Sequence, residues 1–195
     1  MDGIVMFSAG VESTALLEWL VREKKENVTA LHSVYPNKTA QANIYRENVG
    51  KICEILDVPL IVHEHPTYES ELPDMGENFN AAKHWILACC TAQLRYPYVK
   101  NFYWGVNSGI NQYGDQGGDY HFLPRSWEFQ LVFEFFGRMA NGQDYDQKMY
   151  PPICGWTKKQ MWEYISDDIK PYVTSCETGD SCGKCNKCEE FSRII

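Results

Sequence analysis

Positive charge is scarce in this chain. Its 18 lysines and arginines stand against 26 aspartates and glutamates, for a net charge of −8 with histidine neutral. That balance argues against a broad basic face for gripping nucleic acid, so a nucleic-acid partner is not expected, while a local basic cleft stays compatible with it. Long apolar runs are missing too. None approaches the roughly 20 residues that cross a bilayer, and no membrane partner is expected. Low-complexity tracts and internal repeats are absent. No secretory leader is legible at the first residues, which leads us to expect a reducing, cytoplasmic setting. The Gly-Lys-Ser/Thr ending of a Walker loop is lacking as well, so any phosphate loop here is of another kind.

What is present is the composition of a folded globule, 44% hydrophobic and 14% aromatic over 195 residues. That length suits one full-size domain and is too short for two large ones. Residues 3–7 are a short apolar run and predict a first strand. From Ala15 the pattern turns helical, with Leu16, Leu17, Leu20 and Val21 on one face. The pattern predicts further strands over 28–34, 60–62 and 101–106 and a short extended piece over 149–153. It predicts helices over 40–56, 85–96 and 126–139, and one capped by Thr157 that runs to about residue 169. Ile44, Val49, Ile52 and Ile55 are candidate inward positions of the first of these. Trp104 and the Phe-rich stretch 129–136 read as core.

Strand and helix alternate with short connections, so the fold class is α/β, a parallel sheet built from right-handed β-α-β units. Ligands of such sheets bind beyond the carboxyl ends of the strands. The loops at 8–14, 32–39, 105–119 and 153–159 are therefore the ones to watch.

Near the C-terminus the chain reads Cys176-x5-Cys182-x2-Cys185-x2-Cys188. Four thiolates at this spacing can close a tetrahedral shell around Zn²⁺, the usual geometry of a structural site. Two disulfides are the alternative, and they suit a secreted protein. The other cysteines, Cys53, Cys89, Cys90 and Cys154, sit in apolar stretches typical of buried free thiols.

The segment Ser8, Ala9, Gly10, Val11, Glu12, Ser13, Thr14 has what a phosphate cradle needs. Small side chains let backbone N–H groups approach an anion, hydroxyls stand at both ends, and a helix N-terminus follows. A plain strand-to-helix turn with Ser13 or Thr14 capping the helix is the simpler account of the same residues.

This loop, placed directly after the first strand, resembles the pyrophosphatase loop of the PP-loop ATP-pyrophosphatases. With the stretch from Ser175 through Cys188, the chain resembles the 7-cyano-7-deazaguanine synthase family of the queuosine pathway. Pro152-Ile153-Cys154-Gly155-Trp156-Thr157-Lys158 is similar to that family's Pro-Leu…Thr-Lys element, and Gly105-Val106-Asn107 to the end of its fourth strand. Departures are present. The family's Ser-Gly-Gly-x-Asp-Ser is here Ser8-Ala9-Gly10-Val11-Glu12-Ser13, its Gly-Arg-Asn is Ala82-Lys83-His84, and the stretch 108–115 is altered. The chain reads as a divergent member.

The resemblance implies a PP-loop domain over 1–170 with a zinc-binding segment over 171–195 packed on it. It implies an ATP-dependent ligase that adenylates the carboxylate of 7-carboxy-7-deazaguanine and amidates it with ammonia, giving the nitrile or stopping at the amide. The implied cofactors are structural Zn²⁺, ATP and Mg²⁺, and a homodimer is among the implied assemblies. Ser8, Ser13 and Lys158 would be catalytic, and residues 8–14 would hold the phosphates. Lys83, His84 and Asn107 would meet the substrate, with Tyr35, Asn111 and Tyr113 nearby. Glu12, or Asp115 more weakly, would be a Mg²⁺ ligand. His63 and His65 read as structural.

Other readings keep the loop and change the acceptor to a tRNA base or a protein terminus. A sulfur-transferring relative that modifies tRNA ranks behind these, because the chain is acidic and four of its cysteines are committed to zinc. A degenerate module that binds nucleotide without turnover is the reading from a different class, with Glu12 and the missing Gly-Arg-Asn in its favour.

Overall fold

The structure is a computed structural model that describes residues 2–34, 39–64, 88–105, 122–142, 146–174, 176 and 182–192. Five strands form one fully parallel sheet: β1 (Gly3–Met6), β2 (Val28–Val34), β3 (Leu60–Glu64), β4 (Asn101–Trp104) and β5 (Lys148–Tyr150). Their order is β3-β2-β1-β4-β5. The chain therefore builds outward from β1 in one direction through β2 and β3, then returns to its other side for β4 and β5. The reversal falls between β1 and β4, at the point where open α/β sheets leave a crevice beyond the strand ends.

The helices are α1 (Val11–Arg22), α2 (Thr39–Leu56), α3 (helical over 88–95), α4 (Phe122–Asn141), α5 (Lys158–Tyr164) and α6 (Asn186–Ser192). Successive strand residues point to opposite faces, and β1 shows the consequence. Val5 packs with α1, α2 and α5 through Leu16, Leu17, Ile52 and Met161. Ile4 and Met6 pack on the other side with α3 and α4 through Cys89, Ala92 and Phe133. Both faces are covered, so β1 is an unbroken apolar run rather than an alternating one. The Phe102 and Phe133 rings stand edge-on at 5.2 Å between centroids, tying α4 to the sheet.

The predicted elements are present with shifted ends. The expected helix to residue 169 is shorter: α5 stops at Tyr164, where Ile165 turns extended with ψ 129°. Its cause lies in α1. Glu18 is buried there, accepts the Ser166 N–H at 3.1 Å and pairs with Arg22 at 2.7 Å, and Arg22 also donates to the Ser166 hydroxyl. A buried carboxylate must be satisfied, and satisfying Glu18 takes the chain out of helix. A 3-10 turn at Lys170–Tyr172 follows, with Pro171 inside it.

Of the expected core aromatics, Trp104 and Phe133 are buried, but Phe135 is 65% exposed. Phe133 takes the sheet-facing side of α4, and Phe135, 200° further round a 3.6-residue helix, faces away. Among the inward candidates of α2, Val49 and Ile52 are fully buried while Ile44 and Ile55 are partly so.

Candidate active site

Ser8 to Ser13 runs from the carboxyl end of β1 into α1, beside the topological reversal. The loop is wound on its own hydroxyls. The Ser13 Oγ accepts the Ser8 N–H at 3.3 Å and lies 3.2 Å from the Ser8 Oγ, which accepts the Gly10 N–H at 3.4 Å. Gly10 is the N-cap of α1 and offers no side chain to close it. A 12-residue helix whose first turn is capped by glycine keeps its partial positive end suited to an anion. Thr14 is buried, its N–H donating to Gly10 O at 2.9 Å as the first helical bond.

Ala9 adopts φ +58°, the left-handed region, and is fully buried. The substitution of a glycine-like position by alanine thus falls where a Cβ is disfavoured. Its carbonyl accepts the Thr174 N–H at 2.8 Å, which holds the conformation from outside the loop.

Gly105 meets the loop from β4. A Cβ on Gly105 would stand 2.5 Å from the Glu12 carbonyl carbon and 2.6 Å from the Ser13 nitrogen. No side chain fits there. The register Met6 opposite Trp104 puts Phe7 and Gly105 side by side at the strand ends, so glycine lets β4 press against the first turn of α1. From β2, His32 supports the same point: it is buried, and its Nδ1–H donates to Phe7 O at 3.0 Å. Burial keeps its pKa below the ordinary value, against the pull of the Phe7 bond, and Arg46 lowers it further. The ring is neutral at pH 7.

Lys158 begins α5 after Thr157, which caps the helix through a capping box with Gln160. The Lys158 ammonium lies 3.1 Å from Glu12 Oε1, both side chains mostly buried. Two residues predicted for the same site, one in each of two loops, are thus brought together, and they engage each other.

The four C-terminal cysteines also converge. The sulfurs of Cys176, Cys182, Cys185 and Cys188 all lie within 4.8 Å of one another, a group that could hold a metal ion. Ligands on a single Zn²⁺ with bonds of about 2.3 Å stand about 3.8 Å apart. Backbone N–H groups already point at two of the sulfurs, Cys182 N to Cys176 Sγ at 3.3 Å and Cys188 N to Cys185 Sγ at 3.4 Å. The Gly183 N–H favours the Cys188 thiolate, but desolvation and hydrogen bonds with the Cys185, Cys176 and Cys182 sulfurs outweigh it and push the thiol up to about 12. All cysteines are unbridged. Burial raises the Cys53 thiol to about 12 and the Cys89 thiol well above its usual range, which fits inert core positions.

The sequence reading did not single out Tyr45, Asn48 or Thr174. Tyr45 donates to Cys176 O at 2.6 Å, and the Asn48 amide donates to the Thr174 hydroxyl at 2.5 Å. Two polar residues three apart in the otherwise apolar inner half of α2 were the available signal. His63, read as structural from the sequence, is buried and stacked on Tyr96 with its Nε2 3.0 Å from the Tyr96 hydroxyl. Tyr35, His65, Lys83, His84, Asn107, Asn111, Tyr113 and Asp115 lie outside the described residues.

No family model and no curated protein matches the chain. Among solved structures, it is similar to the U34-tRNA thiolase NcsA from Methanococcus maripaludis with its [4Fe-4S] cluster. The TM-score is 0.59 at 13% identity, over 98% of this chain and 63% of that one. This chain thus spans less than two thirds of that protein's length, and at this identity the likeness is one of fold. The α/β architecture expected from the PP-loop resemblance is therefore present, with a C-terminal cysteine cluster able to bind metal.

Proposed function

We propose that the protein is a PP-loop enzyme that splits ATP into AMP and pyrophosphate to adenylate an oxygen of its substrate. The observation that carries this is the pairing of Lys158 with Glu12 at the mouth of the Ser8–Ser13 loop. A strand-to-helix turn of purely structural purpose has no need of a mostly buried cation delivered from a second loop. A loop that must neutralise a leaving pyrophosphate does.

In this reading the loop amides and the Ser8 and Ser13 hydroxyls hold the β- and γ-phosphates. Lys158 exchanges its Glu12 partner for a phosphate oxygen as charge builds on the leaving group. Gly105 and His32 fix the loop from the two neighbouring strands, so little reorganisation is left for the reacting state. Mg²⁺, when bound, neutralises the triphosphate, and the Glu12 carboxylate in the loop suits a hard cation. The Cys176, Cys182, Cys185 and Cys188 set takes a single structural Zn²⁺, to which the compact sulfur envelope is suited.

The acceptor we favour is the carboxylate of 7-carboxy-7-deazaguanine, with ammonia displacing AMP to give the amide and a second adenylation giving the nitrile. Its support is the sequence resemblance in the loop, the Thr157-Lys158 element and the cysteine tail. A modified tRNA base is the second acceptor, favoured by the fold shared with a tRNA thiolase and opposed by the net charge of −8. Incubation of the metal-loaded protein with ATP and each acceptor in turn, with AMP and product read by mass spectrometry, tests the reading. AMP formation dependent on the deazaguanine acid and ammonium supports it, AMP formation dependent on tRNA moves the acceptor, and ATP binding without AMP means a non-catalytic module.

A further inference from the structure

The phosphate loop and the cysteine cluster share a connection that neither site requires by itself. Thr174 stands two residues before Cys176 and is 7% exposed. Its N–H donates to Ala9 O, and its carbonyl oxygen would be 3.9 Å from a Cβ on Gly10. Helix α2 holds this same short segment twice, through Asn48 to the Thr174 hydroxyl and Tyr45 to Cys176 O. The Cys176 sulfur in turn belongs to the four-sulfur group. A continuous run of contacts therefore leads from the metal ligands to the one loop residue held in a left-handed conformation.

That conformation needs a holder. An L-residue in the left-handed region is disfavoured, and Ala9 lacks the freedom of the glycine this loop type carries. An external N–H fixed in place offsets the preference. Thr174 supplies it while its own segment is fixed; Asn48 and Tyr45 tie that segment to α2, and a metal gathering the four sulfurs would add a further tie at Cys176.

We infer that Thr174 is a positioning residue that couples metal occupancy of the cysteine cluster to anion binding at the phosphate loop. The inference rests on the phosphate-loop reading of residues 8–13. Coupling between sites is reciprocal in binding free energy: metal strengthens phosphate binding, and phosphate tightens metal binding by the same factor. The dependence on metal follows from Ala9, because a loop with glycine at this position adopts the same backbone without the external tie.

The test titrates inorganic pyrophosphate calorimetrically into zinc-loaded protein and into protein stripped with a chelator, with circular dichroism reporting the fold of each. Loaded protein is expected to bind at least about 5-fold more tightly, the low end of typical couplings. Ala9→Gly is expected to shrink that ratio towards one by restoring affinity in the stripped form, and Tyr45→Phe to shrink it by weakening the loaded form. A second readout starts from loaded protein. In equilibrium competition with a chromogenic chelator, zinc affinity is expected to rise when pyrophosphate is present, after correction by a protein-free control for the zinc that pyrophosphate itself binds, and Ala9→Gly to reduce that rise. Equal pyrophosphate affinity with and without zinc in folded protein, or a zinc affinity indifferent to pyrophosphate, overturns the coupling alone. Absence of pyrophosphate binding in the loaded protein overturns the phosphate-loop reading and the coupling with it.

Discussion

The Lys158 ammonium sits 3.1 Å from the Glu12 carboxylate, joining the first turn of α5 to the first turn of α1 across 146 residues of sequence. The pair stands beside the Ser8–Ser13 loop. In the proposed function, Glu12 would hold the ammonium near the loop, and Lys158 would offset the repulsion between the Glu12 carboxylate and a polyphosphate.

Removing the cation is therefore expected to damage turnover more than folding. Lys158→Met should lower kcat/KM for ATP by about 100-fold or more, on the order of 3 kcal/mol of transition-state stabilisation. Its effect on stability should be smaller, about 2 kcal/mol, from leaving the mostly buried Glu12 carboxylate without this partner. Steady-state kinetics beside a thermal melt separates the two. A variant with wild-type kcat/KM removes Lys158 from the reaction.

Gly105→Ala should act through packing. Its Cβ would fall 2.5 Å from Glu12 backbone, which cannot swing aside as a flexible side chain would. A loss of about 1–3 kcal/mol is expected, together with weakened pyrophosphate binding because the atoms displaced belong to the loop. Melting temperature and calorimetric titration check both halves. Normal binding in a destabilised variant would mean that the clash is relieved elsewhere.

Ala9 offers a test of strain. Ala9→Gly should fold and bind in the metal-loaded state, its stability within about 1 kcal/mol of the parent, since relief of the left-handed backbone is partly offset by the unfolded freedom of glycine. Ala9→Val should cost about 2 kcal/mol or more, because a branched side chain meets both the left-handed angle and full burial. Denaturant melts with an unchanged slope check the comparison.

His32 sets a pH dependence. Its pKa is depressed in the folded chain, mainly by burial, relative to the ordinary 6.5. Below that value the unfolded chain binds more protons than the folded one, so stability rises with pH there. The contribution is complete above about pH 6.5 and is lost on acidification, with a slope of at most about 1.4 kcal/mol per pH unit from this one group. His32→Gln should flatten the acid limb of the stability curve. An unchanged limb assigns it to other groups.

The parallel sheet was legible because β1, buried on both faces, reads as an unbroken apolar run, and because strand and helix patterns alternate with short connections. The two loops were legible because small residues, hydroxyls and a helix start are local features. The cysteine spacing was legible for the same reason. Other features depend on partners far along the chain. Nothing local tells that Glu18 will end α5 by binding Ser166, or that Thr174 will reach back to Ala9. Glu12 and Lys158 were each legible as site residues, but not as a pair, since sequence spacing carries no information on which two loops meet. The strand order was open for that reason too.

The most direct test of the central claim is the identity of the nucleotide product when metal-loaded protein turns over ATP with 7-carboxy-7-deazaguanine and ammonium. The account predicts AMP and pyrophosphate in equal amounts, formed only when the acid is present. ADP and inorganic phosphate as the products would contradict it, because a loop that holds the β- and γ-phosphates as a leaving unit cannot cleave between them.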